Sequence, residues 1–170
     1  MTATVISLVA FKGGVAKTSS TAMISYNLAK RNYKVIMVDL DPQANLTAIS
    51  LRTKLAQLGE NANTVIDSSL MKAVQDDDLS EAQINIMPNL DLIGSSMDFS
   101  LYPEYMLNRS QSMKEQVKYL DELLKPIIKD YDFCIIDTPP TLSLYLSSAL
   151  YASDFALCLL KTDPFSIEGL

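Results

Sequence analysis

Hydrophobic positions in this chain fall into short continuous runs separated by stretches of helical spacing. Thr4-Val5-Ile6-Ser7-Leu8-Val9 reads as a buried strand that ends at Lys12-Gly13-Gly14, where glycine permits a tight loop. Helical spacing follows from near Lys17, with Ala22, Met23, Ile24, Leu28 and Ala29 on the apolar side, and Lys34-Val35-Ile36-Met37-Val38 then makes a second strand, completing a βαβ unit. Helices are expected over Ala44 to Leu51 and Thr64 to Val74, joined by a polar stretch with Gly59, Asn61 and Asn63. Leu90-Asp91-Leu92-Ile93 is a short strand running into Gly94-Ser95-Ser96, and Val117, Leu120, Leu124, Ile127 and Ile128 mark one face of a long amphipathic helix. Two more apolar strands, Phe133-Cys134-Ile135-Ile136 and Phe155 to Leu160, flank a helix around Leu144 to Tyr151. Continuous apolar strands alternating with helices predict an α/β fold: a doubly wound, mainly parallel sheet with helices on both faces.

With 170 residues, 48% of them hydrophobic, the chain is expected to form a single domain over 1–170 with one buried core. Its 14 lysines and arginines against 20 acidic residues give a formal charge of −6, which argues against a strongly basic nucleic-acid surface on the chain as a whole. Cys134 and Cys158 both lie inside apolar runs and read as core thiols of a reducing compartment, the cytoplasm, not as a disulfide framework. The apolar start carries no cationic region of the signal-peptide kind, and no run approaches the roughly 20 residues of a membrane span. Histidine is absent, which excludes imidazole catalysis and His-ligated metals. The acidic run Asp76-Asp77-Asp78 reads as a solvated loop, since consecutive carboxylates point in different directions.

Chemistry must therefore rest on carboxylates, lysines, hydroxyls and backbone amides, and three segments supply them. Lys12-Gly13-Gly14-Val15-Ala16-Lys17-Thr18-Ser19 stands where a strand gives way to a helix. A glycine-bearing turn feeding a helix N-terminus offers backbone N–H groups and the positive end of the helix dipole to a polyphosphate, with Lys17 at the β and γ phosphates and the Thr18 hydroxyl on Mg²⁺. Val38-Asp39-Leu40-Asp41-Pro42-Gln43-Ala44-Asn45-Leu46-Thr47 places two carboxylates at the end of the second strand, where an open α/β sheet binds ligands. Alternation puts Asp39 and Asp41 on the same side, positioned to hold the waters of Mg²⁺ or to orient an attacking water. The plainer reading is that they cap the following helix. Ile135-Ile136-Asp137-Thr138-Pro139-Pro140 delivers one further acid, Asp137, as an outer metal ligand, followed by stiffening prolines.

Taken in series, these segments resemble the deviant-Walker ParA/MinD family of P-loop NTPases, whose defining feature is a second lysine early in the loop, here Lys12. The likeness runs from about Thr4 to Leu170 and takes in Asn89-Leu90-Asp91-Leu92-Ile93, Tyr131-Asp132-Phe133 and Ala149 to Asp154 in family order. The resemblance implies that Lys12 reaches across a sandwich homodimer to the phosphates bound by the other subunit, that Asp41 positions the nucleophilic water, and that ATP with Mg²⁺ is the nucleotide. It makes Lys12, Lys17 and Asp41 the catalytic set, residues 12–19 the nucleotide loop, and Thr18, Asp39 and Asp137 the metal set. Ala16 departs from the family pattern, which has glycine before Lys17; a methyl group disfavours positive φ there and crowds phosphate or partner. Family members also continue beyond the position of Leu170, so the chain is read as lacking the family's C-terminal portion.

The function this implies is an ATP-driven dimerisation switch for plasmid or chromosome partition. Its expected partners are non-specific DNA for the full-length chain and a centromere-binding ParB-type protein, with no membrane, and its expected location is cytoplasmic and nucleoid-associated. A MinD-like membrane-cycling ATPase is the nearest rival, disfavoured by the Asp41-Pro42-Gln43 segment and by the lack of a visible C-terminal amphipathic helix. A relative of the nitrogenase iron protein would need cysteines on loops at a dimer interface. From another class, a non-catalytic nucleotide-binding module fits Ala16.

Overall fold

The structure, a computed structural model, describes residues 3–10, 12–58 and 68–160. In chain order β1 (Thr4–Val9), α1 (Lys17–Lys30), β2 (Val35–Asp39) and α2 (Asn45–Leu58) are followed by α3 (Leu70–Gln75), β3 (Gln83–Met87) and β4 (Leu90–Ile93). Next come α4 (Tyr102–Arg109), α5 (Met113–Leu124), β5 (Phe133–Asp137), α6 (Leu144–Ala152) and β6 (Phe155–Cys158), with short 3₁₀ turns at 80–82, 97–101 and 128–130. The strands form one sheet in the order β3-β4-β2-β5-β1-β6, parallel except where β3 runs against β4.

Period-two alternation along fully buried strands divides the core in two. Val35 and Met37 of β2 and Ile135 of β5 pack with Ala29 of α1 and Leu46 of α2 on one face. Ile36 and Val38, with Cys134 and Ile136, pack with α3, α4, α5 and α6 on the other. Each such side chain contributes about 1.5–3 kcal/mol by leaving water, so an apolar residue at every strand position is what a sheet buried on both faces requires. Because α1 lies on one face and α6 on the other, the chain winds away from the β1–β5 boundary in both directions and opens a crevice at the C-terminal ends of these strands.

The opposite end of the sheet is closed by two acids. Asp132 Oδ2 accepts the Lys34 amide at 2.8 Å and Asp154 Oδ2 accepts the Val5 amide at 2.8 Å, satisfying donors at the starts of β2 and β1. Over the α6 face, Phe99 stacks on Tyr102 at 5.0 Å and meets Tyr145 at 5.4 Å, and its carbonyl accepts the Tyr145 hydroxyl at 3.0 Å.

Several elements differ from the sequence-based expectation. The helix expected over Thr64 to Val74 is α3, and the part from 64 to 67 lies outside the described residues. The long helix through Ile128 stops at Leu124, because Pro126 lacks an N–H and its ring opposes a preceding turn, leaving Ile127 in a turn and Ile128 at the start of the 3₁₀ turn. Neither β3 nor α4 was expected; β3 alternates exposed and buried residues in Gln83-Ile84-Asn85-Ile86, as an antiparallel edge strand does. Cys134 is buried and burial pushes its thiol up to about 12, whereas Cys158 is exposed among the described residues. Its strand, β6, stands at the sheet edge with all four residues exposed. The acidic run is solvent-exposed, as expected.

Phe99→Ala is expected to lower stability by about 3–5 kcal/mol, the loss typical of a fully buried aromatic. A urea unfolding midpoint equal to that of the parent chain would refute the role given to this aromatic cluster.

Candidate nucleotide and metal site

The loop after β1 turns on two positive φ angles, Gly14 at 75° and Ala16 at 62°. The second is the residue just before α1, where the left-handed conformation aims the chain into the helix without any side-chain cap bond. Ser20 N–H donates to the Ala16 carbonyl at 2.8 Å, closing the first turn. α1 thereby starts at the mouth of the crevice, and its first two side chains, Lys17 and Thr18, turn towards the end of β5.

There they meet Asp137. Lys17 Nζ donates to Asp137 Oδ1 at 2.6 Å and Thr18 Oγ1 to Asp137 Oδ2 at 2.7 Å. Thr21 Oγ1, one helical turn on, shares its proton between the Lys17 carbonyl at 3.2 Å and Asp137 Oδ1 at 3.3 Å. Asp137 is fully buried and Lys17 nearly so. A buried carboxylate is costly unless paired, and here an ammonium and two hydroxyls share it. Thr138 Oγ1 donates to the Leu8 carbonyl at 2.8 Å, holding the exit of β5 against β1.

A cleft of about 510 Å³ opens above this cluster. It is lined by the whole loop from Lys12 to Ser19, by Asp41, Gln43 and Asn45 after β2, and by Pro139, Pro140 and Thr141 after β5. Three strand ends thus contribute to one concavity. Its ingredients are backbone amides at a helix N-terminus, an ammonium, a hydroxyl beside a carboxylate, and a second carboxylate across the opening. That donor set fits a polyphosphate with a hard divalent cation: amides and Lys17 for the phosphate oxygens, Thr18 and Asp137 for the metal and its waters. Among the described residues, no group of three or more acidic or cysteine side chains gathers closely enough to hold a metal by itself.

The two aspartates of β2 and its exit go separate ways. Asp41 is half-buried, lines the cleft, and accepts the Gln43 amide on Oδ1 at 2.9 Å. Asp39 is fully buried and is not part of the cleft wall. Its Oδ1 accepts the Asp41 amide at 3.1 Å, while Oδ2 accepts both the amide and the hydroxyl of Thr47, at 2.9 Å and 2.8 Å. Burial lifts the Asp39 carboxyl to about 6 and the neighbouring Asp137 charge adds to the rise, while the Thr47 and Asp41 bonds pull it back. The structure therefore brings Lys12 to Ser19 and Asp41 to one cleft and sets both Asp39 and Asp137 behind its wall, Asp137 in direct contact with the lining residues Lys17 and Thr18 and Asp39 bonded to the Asp41 amide and to Thr47. Thr21, which the sequence reading passed over, could have been found from its place four residues after Lys17 on the same helix face.

A family model described as an AAA domain matches residues 3–170. Among curated proteins, the chain is 34% identical over 167 residues to an uncharacterised protein of Methanocaldococcus jannaschii, covering 98% of this chain and 62% of that protein. It is 35% identical over 163 residues to the virulence plasmid ParA family protein pGP5-D of Chlamydia psittaci, covering 94% of this chain and 58% of the relative. The chain thus spans about three fifths of the length of these relatives. Among solved structures it superposes on a plasmid partition protein of Borrelia burgdorferi bound to AMPPNP with a TM-score of 0.79 and 28% identity, over 99% of this chain and 67% of the other. Cobyrinic acid a,c-diamide synthase of Mycobacterium smegmatis, solved with an ATP analogue and magnesium, gives 0.76 and 27% over 93% and 58%. A lysine-bearing phosphate-type loop, a buried strand-end aspartate and this breadth of match lead to one assignment: the chain belongs to the AAA domain family matched here, as a ParA-type P-loop protein of the deviant-Walker group.

Proposed function

We propose that this chain is the nucleotide-binding part of a Mg-ATP-dependent partition ATPase, in which ATP drives homodimerisation and hydrolysis reverses it. The observation that carries the reading is that Lys17 and Thr18, which line the cleft together with Asp41, are both bonded to the buried Asp137. Lys17 neutralises charge on the β and γ phosphates, Asp41 orients the attacking water, and Lys12, which also lines the cleft, serves the phosphates of the second subunit. Thr18 and Asp137 are the residues that would hold Mg²⁺, which supplies charge neutralisation at the phosphates when bound. The likeness to a plasmid partition protein solved with AMPPNP and to a plasmid ParA-family protein supports plasmid or chromosome partition as the setting. Non-specific DNA and a centromere-binding ParB-type protein are then the partners of the full-length chain, and the nucleoid its place of work. Among the described residues no helix is long and apolar enough to cross a membrane.

Ala16 bears on the rate. An L-residue held in the left-handed region costs about 1–2 kcal/mol relative to right-handed backbone, and glycine at that position removes the strain. The Ala16 methyl, which crowds the approach of phosphate or partner, favours a slow, partner-stimulated enzyme over a fast one.

The mass of the full-length protein with Mg-ATP, with Mg-ADP and without nucleotide tests the switch. A dimer is expected only with ATP, lost in Lys12→Ala and persistent in Asp41→Ala; ATP binding with no dimer under any condition would leave a nucleotide-binding module and refute the switch. Ala16→Gly is expected to raise folding stability by about 1 kcal/mol, the left-handed penalty less the added chain entropy of glycine. A denaturation midpoint that falls instead would show the Ala16 conformation to be unstrained.

A further inference from the structure

Asp39, Thr47 and Ser95 come from three different segments and are almost entirely buried, with 0%, 3% and 2% exposure. Thr47 Oγ1 works in both directions: it accepts the Ser95 amide at 2.9 Å and donates its only proton to Asp39 Oδ2 at 2.8 Å. The direction of that chain is unambiguous, because an amide can only donate and the hydroxyl proton is left for the carboxylate. Asp39 Oδ2 takes the Thr47 amide as well, and Oδ1 takes the Asp41 amide. The carboxylate thus grips both ends of the segment from Asp41 to Thr47, which carries the cleft residues Asp41, Gln43 and Asn45. The far side of Thr47 fits the exit of β4 as closely: a Cβ added at Gly94 would stand 3.1 Å from Thr47 Cγ2 and 3.4 Å from its Oγ1.

We infer that Asp39 is a positioning residue and not a ligand of the metal. Through Thr47 it locks the Asp41–Asn45 wall of the cleft to the Gly94–Ser96 exit of β4, so that the two segments move as one. A helix cap alone would need only the Thr47 amide; the bond to the Asp41 amide and the relay to Ser95 are what a cap does not explain. The consequence for catalysis rests on the function proposed above, in which Asp41 orients water. The mechanical link itself does not.

The test uses the full-length chain with Thr47→Val, which keeps shape and removes the hydroxyl, Thr47→Ser, which restores it, and Asp39→Asn. Asparagine turns its NH₂ towards either the Asp41 amide or the two Thr47 donors, so one side of the grip is lost in either orientation. Amide hydrogen exchange without turnover is read first. The Ser95 amide is expected to exchange at least about tenfold faster in Thr47→Val and at the parent rate in Thr47→Ser, and in Asp39→Asn the Asp41 or the Thr47 amide, whichever the NH₂ faces, is expected to exchange about tenfold faster. Gly94→Ala, which leaves every hydrogen-bonding group in place but presses on Thr47, is expected to shift exchange in the same direction. In Mg-ATP turnover, Thr47→Val lowers kcat about tenfold with KM within about twofold, as expected for a group that orients the reaction and not the substrate. Asp39→Asn leaves the Mg²⁺ concentration for half-maximal nucleotide binding unchanged, whereas loss of a true ligand or its support would raise it about 10–100-fold. The inference is overturned if Thr47→Val leaves Ser95 exchange at the parent rate, or if Asp39→Asn raises the Mg²⁺ requirement. A parent chain that hydrolyses no ATP sinks the ATPase reading alone, because the exchange data still decide the link.

Discussion

The burial of one carboxylate organises this molecule. Asp137 ends the central strand β5 with β1 on one side and β2 on the other, and none of its surface reaches water. An ionised acid in that position demands a cation and further donors, and the start of α1, brought over the sheet, delivers them. The loop from Lys12 to Ala16 is the device that does so. Its left-handed turns redirect the chain within a few residues, which sets Lys17 and Thr18 onto Asp137 and leaves the loop itself lining the cleft. Phosphate-type loop, metal-type residues and strand end are therefore not three features assembled side by side but one electrostatic solution.

Two aspartates separated by a single residue illustrate how far identical chemistry diverges with burial. Asp41 sits at the cleft with one oxygen committed to the Gln43 amide. Asp39, on the buried side, has both oxygens committed to three donors and carries the cost of burial in its raised proton affinity. Proximity to Asp137 adds to that cost, and the lysine that compensates the pair is bonded to Asp137, not to Asp39. Retaining an acid at such a place makes physical sense where the hydrogen bonds it accepts hold something in register.

Much of this was legible in the chain. Strands buried on both faces announce themselves as apolar runs, unbroken up to the terminal aspartate in β2 and β5 and interrupted by a single polar residue inside β1 (Ser7) and β4 (Asp91), because a doubly wound sheet leaves little polar face for alternation. The cleft residues were readable because a loop that binds phosphate through backbone amides constrains residue type by conformation, and lysines and acids at strand ends have few other reasons to be there. What escaped was set by three-dimensional context. The alternation of β3 is weak over four residues, and α4 begins at Tyr102-Pro103 without a polar cap. Cys158 sits in an apolar run that reads as a core strand, yet among the described residues its strand has a neighbour on one side alone, and strand order is not encoded in periodicity. Asp39 and Asp41 share one side by alternation, but which of the two meets the cleft depends on where β2 ends, a matter of one residue.

The sheet order also dictates a timetable for biosynthesis. β1 has no partner among its neighbours in sequence: Thr4 pairs with Phe133 of β5, and Ile6 with Phe155 of β6. On a ribosome, the strand that begins the chain must wait for more than a hundred residues to emerge before its backbone amides find acceptors, and long-range parallel pairing of this kind is slow to form. The loop after β1 can take its working shape only when Asp137 has arrived. During synthesis the cleft at the end of β1 therefore cannot be completed before β5 has emerged and brought Asp137 to Lys17.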